Sequence, residues 1–203
     1  SNILKGKSGI TKISNFDASN LPVQIAGEIK DFDPKDYISP KEIKKMDRFI
    51  QLGLKTAISA FDDENFTSAD INYNEFGIIS ASAIGGLPRI EEESLIELGL
   101  KGPNLSSTTA CAASNHAISQ ACRLIMSDEA KIMMVTGSES TISPIGIVGF
   151  AALKSLSTNN ENPSEASRPF DVDRNGFVMA EGAGTLILEE YEHAINRGAK
   201  IYA

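Results

Sequence analysis

Cysteine and histidine are scarce in this chain, with two of each among 203 residues. Cys111 and Cys122 lie eleven positions apart. On one helix, a rise of about 1.5 Å per residue would separate them by ~16 Å along the axis. A disulfide needs Cα atoms within about 7 Å. An intact helix therefore keeps the thiols apart, and the chain reads as reduced and intracellular. Long apolar runs are missing too. None approaches the ~18 residues of a membrane span, and no signal-peptide pattern is visible in the residues from Ser1 onward. Positive charge is in deficit: Lys and Arg total 19 against 27 Asp and Glu, a net charge of −8. That balance counts against a nucleic-acid partner, which needs a basic footprint.

What remains is the composition of a globular protein, 41% hydrophobic and 23% charged, long enough to bury a sizeable core. Runs of β-formers alternate with helical patterns, which predicts an α/β fold. Residues 76–80, 105–109 and 132–136 read as short buried strands. Residues 21–29 read as an edge strand or hairpin arm. Residues 177–188 read as a strand pair, or as one strand with a glycine-rich bend. Helical periodicity covers about 40–61, 89–98, 112–126, 146–155 and 189–197. Residues 157–168 are polar and aperiodic, hence a loop. Gly198 suits the end of the last helix. Lys200-Ile201-Tyr202-Ala203 then resembles the opening of another strand, so the chain reads as part of a longer polypeptide.

Three constellations carry chemical information. In the first, Ser39, Pro40 and Glu42 form a capping box with proline at the first helical position. At 100° per residue, Ile43, Met46, Ile50, Leu54, Ala57 and Phe61 share one face of the predicted helix. Lys41, Lys44, Lys45 and Arg48 form a stripe on the opposite face. Such a run describes a solvated face, or a docking strip for an acidic partner on a chain otherwise negative.

In the second, Thr108-Thr109-Ala110-Cys111-Ala112-Ala113-Ser114 joins a β-like run to a helical run. Its period buries Ala117, Ile118, Ala121, Cys122 and Ile125. Cys111 falls at the helix N-terminus, where free N–H groups and the macrodipole stabilise a thiolate or an oxyanion. Ala110, Ala112 and Ala113 leave room for a substrate. A buried structural cysteine is the other reading, and Cys122 fits it. His116 is five residues from Cys111 and points about 140° away around the helix, so it reads as structural. His193 falls in a polar, exposed helix. A catalytic histidine is therefore expected outside this chain.

In the third, Asp171-Val172-Asp173-Arg174-Asn175-Gly176 matches the start of a calcium loop. Position twelve is Gly182 where a bidentate Glu is required, and the following segment is strand-like. No metal site is expected.

The motif around Cys111 resembles that of a β-ketoacyl-[acyl-carrier-protein] synthase, a condensing enzyme of fatty-acid synthesis. The similarity extends through Gly6 to Ile10, Lys45 to Gln51, Gly85-Gly86-Leu87, Gly102-Pro103-Asn104, Gly149-Phe150, Leu156-Ser157-Thr158 and Arg168 to Asp171. It ends with Arg174 to Gly184 and Leu188 to Glu192, which resemble the long-chain type, synthase II. The resemblance implies a thiolase-like, layered α-β-α-β-α fold, of which residues 1–203 would form the N-terminal half. It implies that Cys111 is the acylated nucleophile and that Ala110 and Phe150 lie at the acyl pocket. It implies that Lys41, Lys44, Lys45 and Arg48 dock an acidic acyl carrier protein, acyl- or malonyl-loaded.

The reaction implied is the decarboxylative condensation of malonyl-carrier protein with an acyl thioester on Cys111. It needs no cofactor and no metal. A cytoplasmic homodimer is implied, with the strand near Ile132 to Thr136 close to the two-fold axis. The family pattern carries an opening strand before Ser1, a longer segment near 93–98, and a second half with two catalytic histidines. Alternatives are a polyketide-type ketosynthase of the same fold, or a non-catalytic partner half that would have lost its nucleophile.

Overall fold

The computed structural model describes residues 2–64, 66, 71–84 and 98–203. Its regular elements, in chain order, are β1 (Thr11–Lys12), β2 (Ile25–Ala26), α1 (Pro40–Ile43), α2 (Arg48–Asp63), β3 (Phe76–Ala81) and β4 (Asn104–Ser107), followed by α3 (Ala113–Met126), β5 (Ile132–Glu139), α4 (Pro144–Ala152), β6 (Gly182–Glu189) and α5 (Tyr191–Asn196). They divide into two compact units: residues 1–32 with 140–181, and residues 33–139 with 182–203.

In the first unit β1 and β2 pair antiparallel, Thr11 opposite Ala26 and Lys12 opposite Ile25. The strand expected over 21–29 is thus only two residues long. Val23 and Ile25 are nevertheless buried, packed with Ile142, Ile147, Leu156 and Met179. Beyond β2, Gly27 forms an isolated parallel bridge to Ala180. A Cβ on Gly27 would stand 2.9 Å from that of Ala180, so the close approach requires glycine. Glu28 caps this region. Its carboxylate accepts from the backbone N–H groups of Ser14 and Asn15, each at 3.0 Å, and from Ser14 Oγ at 2.7 Å.

The second unit is a four-stranded sheet in the order β4-β3-β5-β6. β3 pairs parallel with β4 and β5, and β6 runs antiparallel to β5. Every residue of β3 is buried, as a parallel strand covered on both faces requires. Alternation along the strands separates two cores. Ile79, Ala81, Met133 and Val135 face α3, while Phe76, Ile78, Ile132 and Met134 cluster with Ala57 of α2. Glycines bring β3 and the approach to β4 together. A Cβ on Gly77 would meet Pro103 O at 2.3 Å, and one on Gly102 would meet Phe76 C at 2.6 Å.

Several expectations change. The helix predicted over 40–61 breaks after Ile43 and restarts at Arg48. The N-cap half of the expected capping box is present, Ser39 Oγ accepting from Glu42 N–H at 3.3 Å, and the Glu42 carboxylate accepts from Lys45 Nζ at 3.0 Å. The break lets Met46 drop into a cluster with Ile38, Phe49, Ile50 and Leu54. The carbonyl of Met46 left open by the break accepts from Gln51 Nε2 at 2.9 Å. The apolar stripe of α3 is Ala113, Ala117 and Ala121. Cys122, expected in that stripe, is exposed. Small residues pack deepest because α3 lies close to β5: a Cβ on Gly137 would come within 2.4 Å of Ser114 Oγ.

The region predicted as a strand over 177–188 is divided. Phe177 and Ala180 make isolated bridges, and the continuous strand starts at Gly182. Residues 200–203 join no strand. Tyr202 Oη instead donates to Asp63 at 2.8 Å. Gly198 ends α5 with φ of +73°, as expected. The helix expected over 89–98, the segment near 93–98 and the Gly85-Gly86-Leu87 motif fall wholly or almost wholly outside the described residues.

Candidate active site

Cys111 and the residues that line the cleft beside it lie in the second unit. β4 delivers the chain to Thr109, and a 3₁₀ turn over Ala110–Ala112 leads into α3. Ala110 holds φ of +51°, a left-handed conformation that costs an alanine about 1–2 kcal/mol. The turn leaves Cys111 exposed immediately ahead of the 14-residue helix. The positive dipole end of that helix favours negative charge on an attacked carbonyl oxygen.

Cys111 opens onto a cleft of about 390 Å³ whose walls include Ala81, Ser82, Ala110, Ser114 and Glu139. Small side chains dominate this lining. Glu139, at the end of β5, was not singled out in the sequence. Its carboxylate accepts from Ala83 N–H at 2.8 Å and from Ser82 Oγ at 3.1 Å. The signal was there: a lone acid ends the run Ile132-Met133-Met134-Val135-Thr136-Gly137-Ser138-Glu139.

The two histidines behave differently. His116 is exposed, and its Nδ1 lies 2.7 Å from Thr109 Oγ1. His193, expected to be exposed, is instead half-buried and hydrogen-bonded to Glu189. Arg197 donates to the same carboxylate at 2.6 Å and to Glu64 at 2.8 Å. Burial works to raise the pKa of Glu189, but the bonds from Arg197 and His193 outweigh it and hold the carboxyl below its ordinary value. The cluster is structural in character and lines no part of the cleft.

Phe150 sits on α4 in the first unit, its ring 5.6 Å from that of Phe177 at 81°. Lys41, Lys44 and Lys45 are exposed, and Arg48 is half-buried as the first residue of α2. The predicted single-helix stripe is therefore corrected to a short helix, a turn and a new helix. Lys45 also pairs with Glu42 at 3.0 Å. At the calcium-like motif, Asp171 Oδ1 accepts from Asp173 N–H at 2.8 Å, and Asn175 Oδ1 accepts from Ser157 Oγ at 2.7 Å. The Glu181 carboxylate accepts from Ile29 N–H at 2.8 Å and Ser140 Oγ at 2.7 Å. No helix among the described residues is long and apolar enough to cross a membrane.

Comparison with known proteins agrees with this geometry. The 3-oxoacyl-[acyl-carrier-protein] synthase 2 of Vibrio harveyi is 42% identical over 229 aligned residues, covering 99% of this chain and 55% of the relative. The chloroplastic 3-oxoacyl-[acyl-carrier-protein] synthase II of Arabidopsis thaliana is 40% identical, with 100% and 43% covered. The chain thus spans about half the length of the curated relatives it matches. Among solved structures, a β-ketoacyl synthase from Burkholderia phymatum STM815 has a TM-score of 0.81 at 27% identity, covering 97% of this chain and 55% of that one. A type II polyketide synthase acyl-carrier protein in complex with its ketosynthase has 0.85 at 30% identity, covering 100% and 56%. The fold is therefore the α/β, thiolase-like fold of the ketosynthases. The family model for the β-ketoacyl synthase N-terminal domain matches residues 1–97 and 93–194, and the chain belongs to the β-ketoacyl synthase family.

Proposed function

We propose that the chain is the N-terminal half of a 3-oxoacyl-[acyl-carrier-protein] synthase that elongates fatty acyl chains, with Cys111 as its nucleophile. The observation that carries this reading is Cys111 itself, held on the strained Ala110 turn ahead of α3 and facing a cleft of small side chains. The Cys111 thiolate attacks the carbonyl of an acyl-carrier thioester, and the carrier thiol leaves with a proton. Malonyl-carrier protein then loses CO₂. The resulting carbanion attacks the Cys111 thioester, releases the thiolate, and yields a 3-oxoacyl chain extended by two carbons. The enolate formed on decarboxylation needs donors, which the family supplies from the half that follows this one. Ala110 and Phe150 are assigned to the acyl pocket on the same reading.

Lys41, Lys44, Lys45 and Arg48 are assigned to docking of the carrier protein. Exposure of the three lysines supports this, as does the solved ketosynthase with its acyl-carrier protein bound. The strand near Ile132 to Thr136 is assigned to the neighbourhood of the homodimer's two-fold axis on the same reading, and β4 is a sheet edge available to a partner. β4 pairs only with β3 among the described residues, and Asn104, Leu105 and Ser106 are exposed. The cytoplasm is the compartment that suits a free nucleophilic thiol. A polyketide-type ketosynthase is the second reading, favoured by the 30% identity to the polyketide enzyme.

The test is condensation by the whole protein. With acyl- and malonyl-carrier protein, it should release CO₂ and form the 3-oxoacyl product, and Cys111→Ala should form none. A product formed equally well without Cys111 would refute the assignment. Repeated extension without reduction of the keto group would favour the polyketide reading.

A further inference from the structure

Among the described residues, the lining of the cleft beside Cys111 includes one carboxylate, that of Glu139, and its bonds explain why it is there. Residues 133, 135, 137 and 139 of β5 alternate onto the face that carries α3. Met133 and Val135 pack on that helix, Gly137 admits Ser114, and Glu139 projects from the last position into the cleft. Its partner in β6 is Gly182, where an added Cβ would meet nothing within 4 Å. On the other side, β3 and β5 stop pairing at Ala81 and Gly137.

Past that point the Glu139 side chain takes over from the backbone ladder. It accepts from Ala83 N–H at 2.8 Å and from the buried Ser82 hydroxyl at 3.1 Å. These are charge-assisted bonds to a segment that otherwise leaves the sheet. Ser82 N–H donates to Ser107 O at 3.3 Å. Residues 81–83 form one wall of the cleft that Cys111 faces.

The geometry points to Glu139 as a positioning residue that fastens the Ala81–Ala83 wall and so sets which chain lengths the cleft accepts at Cys111. This rests on the reading of the cleft as an acyl site. The role belongs to the two acceptor bonds rather than to the charge as such. A glutamine at this position keeps an acceptor oxygen for both donors, and an alanine keeps none.

The test uses thiol alkylation of the full chain, with iodoacetamide and a long-chain N-alkyl iodoacetamide as probes. Cys122 is an internal reference, exposed on α3 and absent from the cleft lining. The long-to-short rate ratio at Cys111, divided by the same ratio at Cys122, reports chain selectivity of the cleft. It should exceed unity in the native chain and fall by about tenfold in Glu139→Ala, the scale on which pocket contacts discriminate apolar groups. Glu139→Gln should retain it. Ser82→Ala, which removes one donor and leaves the Ala83 bond, should fall part of the way and serves if Glu139→Ala does not fold. A native ratio of unity, a ratio unmoved by Glu139→Ala or by Ser82→Ala, or a Gln variant as impaired as Ala would overturn the inference. Alkylation needs no acyl transfer, so failure of the condensation reading is scored separately.

Discussion

Thr109 and His116 are joined across the turn that carries Cys111, Thr109 Oγ1 lying 2.7 Å from His116 Nδ1. The bond ties the residue before the strained Ala110 to the first turns of α3. His116 lines no part of the cleft, but through this bond it braces the nucleophile's backbone. A hydrogen bond of this kind contributes about 0.5–1.5 kcal/mol. His116→Ala should therefore slow Cys111 modification several-fold while sparing Cys122. Thr109→Val should do the same, and the double variant should be no worse than either alone. Additive losses measured by rate-resolved peptide mapping would count against the brace.

Gly137 permits α3 to approach β5. A Cβ there would meet Ser114 Oγ at 2.4 Å and Ser114 Cβ at 3.4 Å. Gly137→Ala should destabilise the chain by about 1–3 kcal/mol in denaturant unfolding. Pairing it with Ser114→Gly should recover most of the loss, apart from the helix cost of the one new glycine. Equal instability of the single and double variants would show that the contact is not the cause.

The Glu64–Arg197–Glu189–His193 cluster is a stability element. The side chains of Arg197 and Glu189 are each only 7% exposed, so removing the cation strands two carboxylates. Arg197→Met should cost about 3–5 kcal/mol. Glu189 has a folded-state pKa below its ordinary value, because the bonds from Arg197 and His193 outweigh burial. Its contribution is therefore complete above the ordinary carboxylate pKa and is lost as pH falls through the lowered one. Glu28, held low by Ser14 and Asn15 against the opposing effect of burial, acts in the same direction. Unfolding midpoints of the native chain should drop through this acid range, and Glu189→Gln should flatten the drop. A parallel pH profile for the variant would refute this.

Much of the fold was legible in the sequence. Strands at 76–80 and 132–136 were visible because both faces are buried and the runs are apolar. The 3.6 period around Ala117 and Ala121 marked α3. Breaks and lateral detail were not legible. The helix through Lys44 and Lys45 keeps its apolar period across the break, so nothing local signals that Met46 leaves the helix for the core. Cys122 is one position off the alanine stripe, and only the close approach at Gly137 decides which residues go deepest. At the site, Cys111 could be placed from the strand-to-helix junction alone. The lone acid that closes β5 was visible too, but not its role, because its partners Ser82 and Ala83 lie more than fifty residues away.

The exposed lysines give a charge-dependent prediction. Reversing Lys44 and Lys45 to Glu should weaken binding of an acidic carrier protein and flatten its salt dependence. The two residues line no part of the cleft, so alkylation of Cys111 should be unchanged. Unaltered carrier affinity across ionic strengths would remove the docking assignment.

The central claim is that Cys111 takes an acyl group from a carrier thioester. Incubation of the protein with acyl-carrier protein, followed by digestion and mass mapping, reads this step alone. The account predicts one acyl adduct, on the peptide containing Cys111, absent in Cys111→Ser and never on Cys122, which is also exposed. Acylation of Cys122 at a comparable rate, or none at Cys111, would contradict it.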